Sequence, residues 1–338
     1  MGSGLNPSEL NVVRQALAEA GEAVCALEAR LIAGGRSNLT FLLTDGAKKW
    51  VLRTPPRAGR TPSAHDVARE HRVTTGLGRA GFPVPRAVVL REDDGALGGP
   101  FTIAEFVPGR TVQTQNHLAA LDDRRVAQAV DALVNTFAAL HAVDYAAVGL
   151  ERFGPSDGYA RRQLDRWAGQ WSHVNPGEDD IDALAQDVAR RLDARVPDQH
   201  RASIVHGDYR IDNALLDMSG IEVKVAAVVD WELSTIGDPV ADVAMMCAYR
   251  HPAFDLVIGE PAAWTSRRLP SERELANKYA DAAGSQLPDW EFHLALAYFK
   301  IAVISAGIDH RSRAASSGSD SAGRAVAPFL QASAAVLG

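Results

Sequence analysis

With 338 residues, 46% hydrophobic and 23% charged, the chain has enough apolar material for a large core and for two lobes rather than one. A net charge of −7 sets nucleic acid aside as a partner, because a phosphate-backbone binder carries a basic face. The two cysteines, Cys25 and Cys247, stand far apart without metal-type spacing and read as buried free thiols of a reducing compartment.

Met1-Gly2-Ser3-Gly4 reads as a tag remnant, and no secretory pattern follows it. No apolar run is predicted to span a membrane; residues 294–308 come nearest, and Lys300 and Gly307 interrupt them. The expectation is a soluble cytoplasmic protein with no membrane partner.

Asn6-Pro7-Ser8-Glu9 has the residues of a helix start: a capping Asn, Pro in the first turn and Glu three places on. Helical apolar spacing continues to residue 20. Residues 24–32 predict a strand, Gly34-Gly35-Arg36-Ser37-Asn38 a loop, and residues 39–43 a second strand. Asp45-Gly46 then turns into a third strand at 49–53. Gly34-Gly35 alone is ordinary turn chemistry. Residues 57–62 read as a linker and 63–77 as a helix with Val67, His71 and Thr74 on one side. Taken singly, Arg53 is a strand-end arginine and Glu70 a solvated member of a mixed-charge helix. Phe82-Pro83-Val84-Pro85 precedes a strand at 87–90, and Asp93-Asp94-Gly95 turns into another at 100–107. Pro108-Gly109 marks a lobe boundary.

Helices dominate thereafter. Val126, Val130, Leu133, Phe137 and Leu140 form a core stripe along 124–141. Helices at 158–174 and 181–192 follow; in the first, Trp167 and Trp171 sit at helical spacing, which is ordinarily packing. Short β-branched runs at 203–205, 214–216 and 223–229 predict strands. Helices at 240–249, 270–283, 290–308 and 325–337 complete the chain, with the Ser/Gly/Arg-rich residues 311–323 expected to be mobile.

Between two of those short strands stands His206-Gly207-Asp208-Tyr209-Arg210-Ile211-Asp212-Asn213, with Asp230 at the end of the next. Each polar residue has a plain alternative as a turn Asp, an Asx-turn Asn or a strand-end cap. Together they suit phosphoryl transfer from ATP, in which a carboxylate accepts the proton of a substrate hydroxyl and hard oxygen ligands hold Mg²⁺. Asp208 is then the base, and Asn213 and Asp230 the magnesium ligands. The His-x-Asp-x-x-x-x-Asn spacing equals that of the protein-kinase catalytic loop. His206 is assigned to holding the loop backbone. Tyr209, Arg210 and Asp212 reach an acceptor by position only, and Glu232 a metal likewise.

The segment 206–213 with Val229-Asp230-Trp231-Glu232, inside a wider signature from Gly34 to Gly237-Asp238-Pro239, resembles the aminoglycoside-phosphotransferase (choline-kinase-like) family of small-molecule kinases. Within it, the chain is similar to the subgroup related to the kinase-like domain fused to some acyl-CoA dehydrogenases. The resemblance implies a two-lobed α+β protein-kinase-like fold. Residues 1–108 would form a nucleotide-binding lobe with a small antiparallel sheet, and 109–338 a mainly helical catalytic and acceptor-binding lobe. It also implies a flap in which Ser37 and Asn38 meet phosphate, and backbone groups near Glu105 and Val107 at the adenine. Arg53 stands where the family carries a phosphate-binding lysine, a departure that keeps the charge, with Glu70 as its ion-pair partner. Asp242 would buttress the catalytic loop, and the Trp167/Trp171 helix would belong to an acceptor-building insert.

The resulting reading is an ATP- (or GTP-) and Mg²⁺-dependent phosphotransferase acting on a small-molecule hydroxyl, a metabolic alcohol or hydroxyacyl compound in preference to an antibiotic. Three alternatives stand beside it. One is an aminoglycoside O-phosphotransferase, whose polycationic acceptor would meet acids such as Asp179, Asp180, Asp182, Glu260 and Glu272. Another is a non-catalytic kinase fold that binds nucleotide, against which the complete Asp208, Asn213 and Asp230 set argues. The last, a metal-dependent phosphoester hydrolase, wants further close ligands that the sequence does not offer.

Overall fold

Asn6 caps the first helix as its sequence dictates: its side chain accepts from the Glu9 N–H at 3.0 Å while the Glu9 carboxylate accepts from the Asn6 N–H at 2.7 Å. Such a box contributes about 1 kcal/mol. A computed structural model of the chain describes residues 4–33, 38–55, 67–92, 95–315 and 321–338. The loop residues 34–37, including Ser37, the linker 57–62 and the Asp93-Asp94 pair lie outside the described residues. The chain divides into two units. Unit one is Met1–Gly109 with two returning segments, Tyr145–Glu151 and Ala226–Ser234; unit two is the remainder.

In unit one, helix α1 (Pro7–Glu19) is followed by strands β1 (Glu28–Ala33), β2 (Leu39–Thr44) and β3 (Lys49–Thr54), helix α2 (Val67–Arg79), and strands β4 (Ala87–Arg91) and β5 (Phe101–Glu105). The five strands form one sheet in the order β1-β2-β3-β5-β4, every pairing antiparallel. Period-two alternation turns Phe41, Leu43, Trp50 and Leu52 into one apolar cluster with Val13, Ala16 and Leu17 of α1. The same alternation sends Arg53 away from that cluster, to an ion pair with Glu70 of α2. β1 starts at Glu28, four residues later than the apolar run at 24 suggests. Cys25 is therefore left in the irregular lead-in and is exposed, contrary to the expectation of a buried thiol; Cys247 is buried and both are free.

Unit two carries helices α3 (Gln115–Ala119), α4 (Asp123–Ala142), α5 (Tyr159–Val174) and α6 (Asp179–Asp193), then strands β6 (Ser203–Val205) and β7 (Ala214–Asp217). The division between units falls within β8 (Lys224–Val228); β9 (Thr235–Gly237) returns to unit two. Helices α7 (Pro239–Ala248), α8 (Phe254–Ile258), α9 (Glu272–Ala283), α10 (Trp290–Ala314) and α11 (Val326–Leu337) close the chain. α3 and α8, five residues each, are too short to show a period and were not expected. Residues 311–314, expected to be mobile, continue α10.

β6 and β9 pair antiparallel, Ile204 opposite Ile236, in a ribbon that leads into the catalytic-type loop. At Gly237 a Cβ would lie 2.7 Å from the Tyr159 ring and 3.0 Å from Val205, so the close approach needs glycine. α10 has the length and hydropathy of a membrane span, yet 78% of that window is buried inside the protein. It packs against α5, α6, α7 and α11 as a core helix, apolar nearly all round.

Candidate active site

In unit two the loop after β6 is organised by one carboxylate. Asp242 on α7 accepts the backbone N–H of His206 at 2.6 Å and of Gly207 at 2.8 Å. Its second neighbour is His141 of α4, Nε2 at 3.3 Å, whose Nδ1 meets the Tyr279 hydroxyl at 2.6 Å. Burial pushes the Asp242 carboxyl up, but the hydrogen bond and charge of His141, with the bonds from the loop, hold it below the usual carboxylate range. Gly207 adopts φ 82°, the left-handed turn that redirects the chain toward Asp208. His206, fully buried, accepts the Asp208 N–H on Nδ1 at 3.2 Å.

Asp208 is then held from two sides, with the buried Tyr249 beside it. The Arg210 guanidinium donates to Oδ1, and Asn213 Nδ2 reaches Oδ2 at 3.1 Å and the Asp208 carbonyl at 2.8 Å. A single 3₁₀ turn at Ile211–Asn213, closed by the Asn213 N–H to the Arg210 carbonyl at 3.1 Å, makes the five-residue spacing bring Asn213 back to Asp208. Arg210 grips Asp212 with two further bonds, 3.0 and 2.8 Å, and lies over the Tyr249 and Phe254 rings at 4.8 and 5.1 Å. Although burial lowers it, the charges of Asp208 and Asp212 raise the guanidinium further above its ordinary value.

In unit one, Arg53 spans two acids: Nη1 to Glu70 at 2.5 Å and Nη2 to Asp230 at 3.5 Å. Glu232 adds a third negative charge felt by Arg53 and Glu70. Burial pushes the Glu70 carboxyl up to about 7, opposed by the Arg53 charge. Asp230 sits at φ 68°, ψ 59°, a left-handed conformation rare outside glycine, which such positions hold only where surroundings over-determine them. Here the neighbours are fixed: Trp231 is buried, donates Nε1 to the Val228 carbonyl at 2.9 Å, and packs edge-on to Phe82, while Arg69 donates to the Ser234 carbonyl at 2.9 and 3.1 Å.

The expected residues thus fall into two clusters, Asp208 with Asn213, His206 and Asp242 in unit two, and Arg53 with Glu70 and Asp230 in unit one. Other expectations fare differently. Asn38 is buried, with no hydrogen-bond partner for Oδ1 among the described residues. The Glu105 carboxylate faces Arg86 at 2.9 Å, and its N–H is taken by the Arg86 carbonyl; no bond is recorded for the Val107 N–H among the described residues. Tyr209 does not face an acceptor: it is buried, stacked on Phe137 at 4.1 Å, and its hydroxyl donates to the Leu133 carbonyl. The tryptophans of α5 part company. Trp171 is buried and bonded to Asp182 at 2.8 Å, whereas Trp167 lines a cleft with Gly207. His141, Tyr249 and Lys300 were missed; the first two give no local sequence signal.

For a magnesium ion, the donor chemistry fits. In unit two Asn213 commits its amide nitrogen to Asp208, which leaves its oxygen to act as a ligand, and in unit one the Asp230 side chain is 38% exposed. Among the described residues no group of three or more His, Cys, Asp or Glu could hold a metal by itself. Such sparse oxygen ligation suits an ion that completes its shell with phosphates and water.

The sequence profile of a phosphotransferase enzyme family, APH, matches residues 28–296. Acyl-CoA dehydrogenase family member 11 of Gallus gallus is 35% identical over 291 residues, which are 84% of this chain and 36% of that protein. The chain therefore spans about a third of the length of that relative. Among solved structures, a candidate aminoglycoside phosphotransferase from Ralstonia eutropha JMP134 superposes with a TM-score of 0.80 at 29% identity, covering 98% of this chain and 97% of that one. A thermostable mutant of aminoglycoside phosphotransferase APH(4)-Ia, in ternary complex with ADP and hygromycin B, gives 0.60 at 16% identity over 97% and 98%, a likeness of fold. A family profile that matches residues 28–296, most of the chain, makes the chain a member of the phosphotransferase enzyme family.

Proposed function

We propose that the chain transfers the γ-phosphoryl group of ATP to a hydroxyl of a small molecule, with Asp208 as the base and with Asn213 and Asp230 holding magnesium. The observation that supports this most is the Asp208 carboxylate, fixed by Arg210 and Asn213 and still part-exposed at 19%. A carboxylate so restrained can orient a hydroxyl and take its proton as the new O–P bond forms and the bond to the leaving ADP breaks. Bound magnesium supplies charge neutralisation on the phosphates. Arg53, kept in place by Glu70, would bind phosphate oxygens as the family's lysine does. The adenine, or a guanine, would meet backbone groups near Glu105 and Val107, with Ser37 and Asn38 in the flap over the phosphates.

The acceptor is a metabolic alcohol or hydroxyacyl compound, a reading supported by the acyl-CoA dehydrogenase relative. An aminoglycoside is the second reading, supported by the name of the Ralstonia neighbour. Magnesium-dependent ADP release against paired panels of aminoglycosides and of hydroxy acids and hydroxyacyl compounds separates them. Turnover confined to the hydroxy panel is expected; turnover confined to aminoglycosides overturns the metabolic assignment. ATP binding without transfer to any hydroxyl would favour a non-catalytic kinase fold. We place the protein in the cytoplasm, as its free thiols suggest.

A further inference from the structure

The chain contains thirty arginines but only five lysines. Lys48, Lys49, Lys224 and Lys278 are exposed; Lys300 is the one that is not. It projects from the middle of α10, between Phe299 and Ile301, both buried, in a helix otherwise apolar enough to fill the core. A lysine in such a helix costs stability unless its ammonium finds a partner. Among the described residues, no hydrogen bond or ion pair takes it up.

The ammonium stands in a cleft that the loop carrying Asp208 meets at Gly207. Lys300 lines a narrow cleft with Tyr159, Trp167, His293, Gly207 and Asp242, all in unit two. Its Nζ lies 5.6 Å from the centre of the Trp167 ring, and Arg166 lies 5.2 Å from the same ring. Two carboxylates are near enough for their charges to act on Lys300, those of Asp208 and Asp242. Both are already committed. Asp208 is bonded by Arg210 and Asn213, and Asp242 by two backbone N–H groups and His141. Burial accordingly holds the ammonium below the usual lysine range, with Arg166 adding to the effect and the two carboxylates opposing it.

We propose that Lys300 is the acceptor-side anchor of the phosphotransferase reaction, so that the acceptor carries a carboxylate or phosphate beside the hydroxyl that approaches Asp208. This rests on the phosphotransferase reading above. An incoming anion supplies the counter-charge that the fold withholds, and Trp167 offers an apolar face for the carbon skeleton between anion and hydroxyl. A polycation is repelled by Lys300 in the cleft and by Arg166 against the Trp167 ring. The remaining acids there are spoken for.

The test compares short hydroxy carboxylates of three to six carbons with their primary amides, and with kanamycin, on the full chain and its Lys300→Met and Lys300→Arg variants. Carboxylates are expected to exceed their amides by about 10-fold or more in kcat/KM, a charge-assisted contact's worth. Lys300→Met is expected to erase that preference through KM, and Lys300→Arg to restore part of it. A preference for amides or kanamycin overturns the proposal. So does an equal fall in kcat for all acceptors with Lys300→Met, which would place the lysine on the transferred phosphoryl group instead. If neither series is turned over, binding is read from ¹³C-dimethyl-lysine spectra, where five lysines give five side-chain signals and Lys300→Met identifies one. Hydroxy carboxylates are expected to move that signal and raise its titration midpoint; no movement with any of them overturns the proposal. Magnesium-dependent ATP binding on the same samples reports separately on the phosphotransferase reading, and its absence counts against that reading alone.

Discussion

Asn213 donates its side-chain amide twice to Asp208, at 2.8 Å to the backbone carbonyl and 3.1 Å to the carboxylate. One residue thereby restrains the carboxylate proposed as the base and leaves its own amide oxygen for the proposed magnesium ion. Asn213→Ala removes both effects. The half-saturating magnesium concentration is expected to rise about 10–100-fold, with kcat falling as well. A magnesium titration of ADP release checks this; an unchanged midpoint would take Asn213 out of the metal's shell.

Glu70 pairs with Arg53 in unit one, yet burial lifts its carboxyl to about 7. A folded value above the unfolded 4.5 means that protonated Glu70 favours the fold. Its contribution is complete below about 4.5 and disappears as pH rises through about 7. The melting temperature of nucleotide-free protein should therefore decline from pH 5 to pH 8 relative to Glu70→Gln, which lacks the titration. Parallel curves across that window would show that Glu70 does not titrate there.

Asp242 holds the His206 and Gly207 N–H groups from a fully enclosed position on α7. Asp242→Asn would turn an amide donor toward groups that are themselves donors, and would take from His141 the carboxylate it is hydrogen-bonded to. A loss of about 3–5 kcal/mol in urea unfolding is expected, as for breaking one side of a buried pair. A loss under about 1 kcal/mol would mean that the loop keeps its shape without this carboxylate.

The parts legible in the sequence were those written in short spacings. Asn6 with Glu9, the alternation of Phe41, Leu43, Trp50 and Leu52, and the interval from Asp208 to Asn213 each specify their geometry within a few residues. Arg53 and Glu70, 17 residues apart, needed the order of elements in a known family. His141 reaches Asp242 across 101 residues, and Tyr249 comes near Asp208 only because α7 ends beside the loop. Such contacts come from helix packing and leave no local pattern. Tyr209 misled for a related reason: its neighbours in sequence are catalytic in type, but its ring points into the core beneath Phe137. Lys300 did leave a mark, as the one basic residue interrupting residues 294–308. In sequence it reads as a defect of an apolar run; packed, it faces the loop that carries Asp208.

The most direct measurement is γ-phosphoryl transfer by Asp208→Asn beside its MgATP affinity. Transfer should fall by about 100-fold or more, the scale of lost general-base catalysis, while MgATP affinity stays within about 3-fold of the parent. Undiminished transfer by Asp208→Asn would contradict the assignment of Asp208 as the base.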